Sequence, residues 1–289
     1  MRAADIPDVL PREKRGYMYT ETEGIILKQI NTVNGRRMLH LFSRKFGKIS
    51  AGTGISERSR SKAGLAMRPF TYGRYELYKG RETYNINSAE AIRSYYRIGE
   101  DVDKYMQASY VLELVDKLTV EEHSFPQLFN LTLAFLSAME ERKKKYGTLV
   151  LAFELKALKL MGIEPRLDAC VVCGAQIGSP AGKEDGGSPE NPPAAETEST
   201  VLFSIPEGGI ICGDCAKKTP HQDGGQLIYS LNTGIVDILR YFVNNPMKNI
   251  EKLGLDDGLF REIHTIVKAY MEHHLGIGKL KSEDFIGDS

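Results

Sequence analysis

No stretch of this 289-residue chain approaches the roughly 18–20 apolar residues that a membrane-spanning helix requires. Its first residues, MRAADIPDVLPREKRGYM, lack the apolar centre of a secretory signal. Cysteine is scarce: there are four in all, in two close pairs, too few for a disulfide-packed secreted module. No Walker loop, glycine-rich dinucleotide fingerprint or nucleophile elbow occurs, and nothing repeats beyond the two Cys pairs. What remains is ordinary globular material, 42% hydrophobic and 26% charged, enough to build a core and unlike a disordered chain. The length suits roughly two domains of about 150 residues each, and the cytoplasm is the expected compartment.

Net charge is also absent, with 38 basic and 38 acidic residues, but the balance conceals an asymmetry. Between Lys28 and Arg81 thirteen Lys/Arg face only Glu57 and Glu76, a net of +11, while the rest of the chain is acidic. A basic segment joined to an acidic remainder points to a polyanionic partner.

The basic segment has a strand-like period. EGIILKQI (23–30) is β-branched and ends at the Asn34-Gly35 turn signal; RRMLHLFSRKF (36–46) sets Met38, His40 and Phe42 against Leu39 and Leu41. KIS (48–50), FTYGRYELYKG (70–80) and ETYNIN (82–87) follow, separated by glycine turns. Five short strands in about 65 residues suit a small closed barrel, because closure removes unpaired edges. Half of Tyr72, Tyr75, Tyr78 and Tyr84 are expected in its core.

After Ser88 the period becomes helical. Helices are expected over 101–119, with Val102, Tyr105, Ser109, Leu112, Val115 and Leu118 on one stripe, and over 126–145, which has a proline at its start and RKKK at its end. Residues 148–161 are apolar nearly all round, which predicts a central helix stopping at Gly162. Two more helices are expected at 231–244 and 258–275. The boundaries predicted are an N-terminal extension 1–19, a barrel 20–88, helical parts 89–168 and 219–289, and a cysteine module 169–218. Within that module, 178–200 is Pro/Gly/Ser/Glu-rich and reads as a disordered insertion.

Cys170-Val-Val-Cys173 and Cys212-Gly-Asp-Cys215 have the spacing of a four-thiolate zinc site. VLFSIPEGGIIC (201–212) supplies a hairpin turning at Glu207-Gly208-Gly209. Disulfide pairing is the plain alternative, disfavoured without a secretion signal. Redox chemistry at CGDC needs a βαβ setting, and a zinc deaminase needs a His-x-Glu partner motif; neither is present. Four thiolates leave no open position for water, so a structural Zn2+, one per chain, is expected and no catalysis.

Arg36, Arg37, Lys48, Arg58, Arg60, Lys62, Arg68 and Arg74 are the candidate nucleic-acid contacts. Cations neutralise phosphates while exposed aromatics stack on bases, a physical solution for single strands. A solvated basic surface is the plain alternative, above all for ISERSRSKAG (55–64) taken alone. No enzymatic constellation stands out: His40 lies in a strand pattern, His273-His274 near a helix end, and Asp101/Asp103 and Glu140/Glu141 on solvated faces.

TEGIILKQ, GRRMLHLFSRKFGKISA, the basic Ser/Arg/Lys loop, RPFTYGRYELYKG, GIEPRLDACVVCG and FSIPEGGIICGDC, in that order, resemble the RecO family of bacterial DNA repair and recombination proteins. The resemblance covers about residues 20–285 and extends to GKLKSEDFI (278–286); residues 1–18 and 178–200 lie outside it. Glu57 departs from the denser basic loop usual in the family. The resemblance implies an α+β chain: an N-terminal five-stranded OB-fold barrel, then a helical bundle with an inserted four-Cys zinc ribbon. It implies binding of single- and double-stranded DNA, strand annealing, and action with RecR and single-strand binding protein to load recombinase on gapped DNA near the nucleoid. Arg142 and Lys143–Lys145 are the cation cluster nominated for the acidic tail of single-strand binding protein. The rival readings are a zinc-stabilised RNA- or protein-binding adaptor without annealing activity, and a zinc-dependent enzyme.

Overall fold

In the computed structural model, which describes residues 13–14, 17–31, 37–80, 83–177, 200–218 and 227–283, the expected alternation is realised as a sheet. Its strands are β1 (Glu13–Lys14), β2 (Tyr17–Asn31), β3 (Arg37–Ser43), β4 (Gly47–Thr53), β5 (Thr71–Lys79) and β6 (Tyr84–Ser94), with a short helix α1 (Lys62–Ala66) between β4 and β5. β1 adds two residues at one edge. The other five pair in the order β2-β3-β4-β6-β5, and β5 pairs again with β2, so the ladder returns to its start.

The length of β2 makes this return possible. Its first half pairs with β5, Tyr19 opposite Tyr78, and its second half pairs with β3, Asn31 opposite Arg37. Gly24 and Ile25 pair on both sides. A Cβ at Gly24 would stand 2.7 Å from Leu41 Cδ1 and 3.0 Å from the Phe42 carbonyl, so the bend at which β2 changes partners requires glycine. Leu39, Leu41, Ile49, Ala51, Tyr75, Leu77, Tyr84 and Ile86 form the enclosed core with Ala66 and Met67 of the α1 turn. Tyr75 and Tyr84 are buried while Tyr72 and Tyr78 are half-buried, the division expected.

β6 continues to Ser94, beyond the expected end of strand structure at 88. The backbone then makes a 3-10 turn over Tyr96–Glu100 before α2 (Val102–Leu118), which Asp101 caps by accepting from the Lys104 amide at 3.0 Å. The buried stripe of α2 is not the one expected. Ala108, Val111, Leu112, Leu114 and Val115 are inside, whereas Val102 and Tyr105 are exposed. α3 runs Pro126–Glu141 and stops short of the expected 145. Arg142 explains the difference. Its guanidinium leaves the helix register to donate to the carbonyls of Lys144, Lys145, Ile250, Glu251 and Leu253, and Lys145 adopts φ +57.

The chain divides into two units, Met1–Glu140 and Glu141–Ser289, so α2 and nearly all of α3 group with the sheet rather than with the later helices. In the second unit α4 (Gly147–Leu160) is buried on nearly every side, as its sequence predicts, and ends before Gly162 at φ +78. It packs against α6 (Thr233–Asn244) and α8 (Asp257–Leu275). Asn232 and Asp256 cap those two helices, and Gly276 at φ +64 closes α8. The small helix α7 (Met247–Ile250) follows Pro246. β7 (Thr200–Ser204), β8 (Gly209–Ile211) and β9 (Ile228–Asn232) make a three-stranded antiparallel sheet in the order β8-β7-β9. Thr200 belongs to β7, which corrects the end of the expected insertion; residues 178–199 lie outside the described residues. Among the described residues no helix is long and apolar enough to cross a membrane.

Candidate nucleic-acid interface and metal centre

The loop between β4 and α1 carries the cations singled out from the sequence, and its serines shape it. The Ser59 amide donates to the Ser56 carbonyl at 3.2 Å, the Arg58 amide to Ser56 Oγ at 3.3 Å and the Ser61 amide to Ser59 Oγ at 3.2 Å. Ser61 then caps α1, accepting from the Gly64 amide at 3.1 Å. The loop folds so closely on α1 that a Cβ at Gly64 would sit 2.4 Å from the Ser59 carbonyl. The Tyr75 hydroxyl fixes the far end by donating to the Ala66 carbonyl at 2.7 Å. A run of serines that reads as a plain polar loop is therefore a hydrogen-bonded turn, and Arg58 and Arg60 project from it into solvent. Neither side chain has a hydrogen bond or ion pair among the described residues.

The remaining candidates differ in how far they are committed. Arg36 lies outside the described residues. Arg37 donates to the Ile55 carbonyl at 3.1 Å and lies 3.7 Å from the Glu57 carboxylate, so it ties the loop to β3. Glu57, the acid that interrupts the basic loop, is held from the other side by Gln29 Nε2 at 2.5 Å. Arg68 is exposed and donates from Nε to the Glu57 carbonyl at 3.0 Å. Lys62 is open to solvent but paired with Glu90 at 2.9 Å. Arg74 is exposed, with Glu23 and Glu90 as its register partners on either side.

Lys48 is placed differently from the expectation of an open cation. Only 14% of its side chain is exposed; Nζ donates to the Asp116 carbonyl at 2.6 Å and lies 3.5 Å from the Asp116 carboxylate. His40 Nδ1 meets the same carboxylate at 2.8 Å. Burial pushes the Asp116 carboxyl up, but the His40 hydrogen bond and the charges of Lys48, His40 and Lys28 together carry it below the ordinary carboxylate range. The segment after α2 reinforces this clasp: the Glu122 amide donates to the Lys48 carbonyl at 2.9 Å, and a Cβ at Gly47 would collide with the His123 carbonyl at 1.8 Å. The outer face of β3 and β4 at this point is occupied by α2 and its C-terminal turn.

In the second unit the four cysteines meet. Cys170–Gly174 forms a tight turn, closed by the Gly174 amide donating to the Cys170 carbonyl at 2.9 Å, with Gly174 at φ +76. Cys212 follows β8, and Cys215 sits in the six-residue helix α5 (Gly213–Lys218) rather than in a second hairpin knuckle. Gly209 lets the two halves approach, since a Cβ there would be 2.3 Å from the Arg166 carbonyl. All four sulfurs lie within 4.8 Å of one another, and Cys173 Sγ is 3.7 Å from Cys212 Sγ. A disulfide needs about 2.05 Å, and the cysteines are free. A tetrahedron with metal–sulfur bonds of about 2.3 Å has edges of roughly 3.8 Å, so the four thiols fit a metal ion.

The thiols also show the charge conflict that a cation would resolve. Burial pushes the Cys170 thiol up, but the amides of Cys212, Cys173 and Val172 bring it down to about 6. Cys215, hydrogen-bonded to Cys173 and Cys212 and next to the Cys170 charge, is pushed up to about 12. The sheet beside the site is wholly antiparallel, so the βαβ setting of a thioredoxin-like redox motif is absent among the described residues.

Of the nominated RKKK cluster, Arg142 is buried among carbonyls and Lys145 is paired with Asp257 at 2.8 Å, which leaves Lys143 and Lys144 exposed. Tyr105 and Lys28 are not among the candidates: Tyr105 fits the apolar period of α2, and Lys28 counts only toward the net charge of the basic segment. The N-cap spacing of Ser61 and Gly64 is the signal that would have found α1.

Residues 18–95 match the family model described as Recombination protein O N terminal, and residues 99–284 that of Recombination protein O C terminal. Among curated relatives, the DNA repair protein RecO of Alkaliphilus metalliredigens is 31% identical over 260 residues, 89% of this chain and 94% of the relative. That of Acetivibrio thermocellus is 25% identical over 257 residues (89% and 92%), and that of Halalkalibacterium halodurans 26% over 269 residues (93% and 94%).

Proposed function

Since this chain belongs to the RecO family of DNA repair proteins, we propose that it is a recombination mediator that binds single- and double-stranded DNA through the basic loop of its closed sheet and anneals complementary strands. The observation that carries the reading is the loop itself. Two arginines, Arg58 and Arg60, are presented to solvent on a turn whose backbone is internally hydrogen-bonded. The strand order β2-β3-β4-β6-β5-β2, with a short helix between β4 and β5, supports an OB-fold, a fold that binds oligonucleotides. Arg68, Arg74 and Lys62 extend the cationic surface, and Arg36 is kept as a phosphate contact on its sequence alone, while Arg37 and Lys48 act chiefly in holding the sheet together.

Annealing requires no covalent step. Two strands repel through their phosphates, and a cationic surface that screens both raises their encounter rate while base pairing supplies specificity and driving force. The protein therefore acts as a non-enzymatic mediator in the cytoplasm. Cys170, Cys173, Cys212 and Cys215 hold one structural Zn2+, whose tetrahedron of thiolates leaves no position for a reacting water. RecR and the tail of single-strand binding protein are its protein partners, as in the family. The test is annealing of complementary strands coated with single-strand binding protein, comparing wild type with an Arg58→Glu/Arg60→Glu/Lys62→Glu variant. A rate at least tenfold lower with an unchanged fold is expected. An equal rate would favour the adaptor reading, in which the positive charge serves a protein or RNA partner.

A further inference from the structure

Beside the basic loop, within the first unit, lies a cleft of about 310 Å³ between β2, the Pro69-Phe70 corner and α2, a size at the small end of ligand pockets, roughly 300–1,000 Å³. Leu27, Pro69, Phe70, Tyr105 and Leu112 make its apolar walls. Phe70 is buried and meets Tyr105 edge-on, with ring centroids 5.4 Å apart and planes at 90°. Tyr105 thus packs against a buried ring while 42% of it stays exposed. An aromatic ring presented in this way on the first turns of a helix is not used by the core.

The charged groups in the lining of the cleft are Lys28 and Glu57, and further cations approach it through Glu57. Lys28 lines it and is exposed. Glu57, also in the lining, holds Arg37 through its carboxylate and Arg68 through its carbonyl, and the next residue along the loop is the solvent-directed Arg58. Two acids near it are engaged: Glu57 by Gln29 and Arg37, and Asp116 by His40 and Lys48. Apolar walls with a flat aromatic, Lys28 at the edge and Arg68 next to Pro69 complement an anionic chain that carries flat apolar groups.

We propose that this cleft receives an unstacked base of single-stranded DNA, stacked on Tyr105, while the flanking phosphates lie on the rim of Lys28, Arg58 and Arg68. The inference rests on the reading that the basic loop binds DNA, and it adds a base contact to what would otherwise be a purely phosphate-directed surface. Stacking of this kind is tolerant of sequence, because every base has a π-face. The bound strand is thus held with some of its bases out of their own stack.

The test compares binding of the full chain to two probes of equal length and charge, an oligothymidylate and an abasic sugar-phosphate strand. Wild type should prefer the thymidylate by about tenfold, the scale of one base–aromatic stack. Tyr105→Ala should bring the two affinities together while the salt dependence of abasic-strand binding stays at the wild-type value. Ser109→Phe, which fills the cleft from α2 without removing the ring, should do the same. Arg58→Ala/Arg60→Ala should instead weaken both probes equally. A base preference that survives both cleft variants overturns the proposal and leaves the loop reading standing. Failure of wild type to bind either probe overturns both. A peptide alternating Asp and Phe that binds wild type but not Tyr105→Ala, with the base preference unmoved, would assign the cleft to a protein and likewise overturn it.

Discussion

Removing Arg58 and Arg60 separates the loop's charge from the rest of the basic segment. Both side chains are exposed and without a partner among the described residues, so Arg58→Ala/Arg60→Ala strips two phosphate contacts and no internal bond. On single strands each neutralised phosphate contributes about −0.7 to the slope of log K against log[salt], so the variant should be shallower by about 1.4. Between 50 and 200 mM salt the wild type should then lose about sevenfold more affinity than the variant loses. Lys48→Ala is the matched control. Its ammonium is committed to Asp116, so the slope should stay fixed while unfolding stability falls on the order of 1–3 kcal/mol, the cost of leaving a half-buried carboxylate without one of its two partners. Fluorescence anisotropy of a labelled oligothymidylate over a salt series, with urea melts of each variant, measures both quantities. A slope change with Lys48→Ala, or none with the double arginine variant, would refute the division between holding and binding cations.

The cysteine site predicts one Zn2+ per chain in elemental analysis, and loss of metal together with local unfolding of the β7–β8 hairpin for Cys170→Ser; retention of full metal content by that variant would reject the four-ligand set. Gly64→Ala should disorder the basic loop, because its Cβ would meet the Ser59 carbonyl, and should lower DNA affinity without touching a charge; hydrogen exchange over 55–66 checks it. In the second unit His264 faces Glu154 at 3.2 Å inside the helices. Burial lowers the pKa of the imidazole, but the charge and hydrogen bond of Glu154 raise it above its ordinary value. The pair's stabilisation is therefore complete below about pH 6.5 and is lost as pH rises through the higher folded value. Glu154→Gln should cost about 3–5 kcal/mol at pH 6, from breaking a buried pair, and much less at pH 9. Equal losses at the two pH values would contradict the assignment.

Much of this was legible because single residues carried it. Leu39 and Leu41 alternate with His40 in the sequence and in the sheet, α4 is apolar all round and central, and two CxxC pairs converge. The misreadings have physical causes. Val102 and Tyr105 fit the helical period of α2, but the side buried in its first turns carries Lys104 and Gln107, polar residues that an apolar pattern passes over, so period alone rotated the buried stripe. Lys143–Lys145 looked like the end of α3, yet Arg142 satisfies carbonyls more than a hundred residues away, a demand that no local pattern announces. β6 ran past Ser88 because its ladder with β5 extends to Ser94, and that pairing outweighs the weak strand preference of Ser-Ala-Glu-Ala.

The charge count shows the same limit more sharply, and it also bears on where the proposed DNA surface lies. Thirteen cations against two acids describe the segment from Lys28 to Arg81 as a sequence. The fold returns acids to it from outside that window: Glu23 to Arg44, Glu90 to Lys62, Asp116 to Lys48 and Glu122 to Lys79. The surface charge is therefore much lower than +11 and is unevenly distributed. It survives where no strand neighbour or helix end supplies a carboxylate, and the stretch that best meets that condition is the serine-braced turn carrying Arg58 and Arg60, with Arg68 beside it. A cation held in a sheet by a carboxylate resists the approach of a phosphate, because the incoming anion must displace a partner already in place. Cations on a turn whose backbone is already hydrogen-bonded present no such competitor, and ordering them on a DNA strand costs only side-chain entropy.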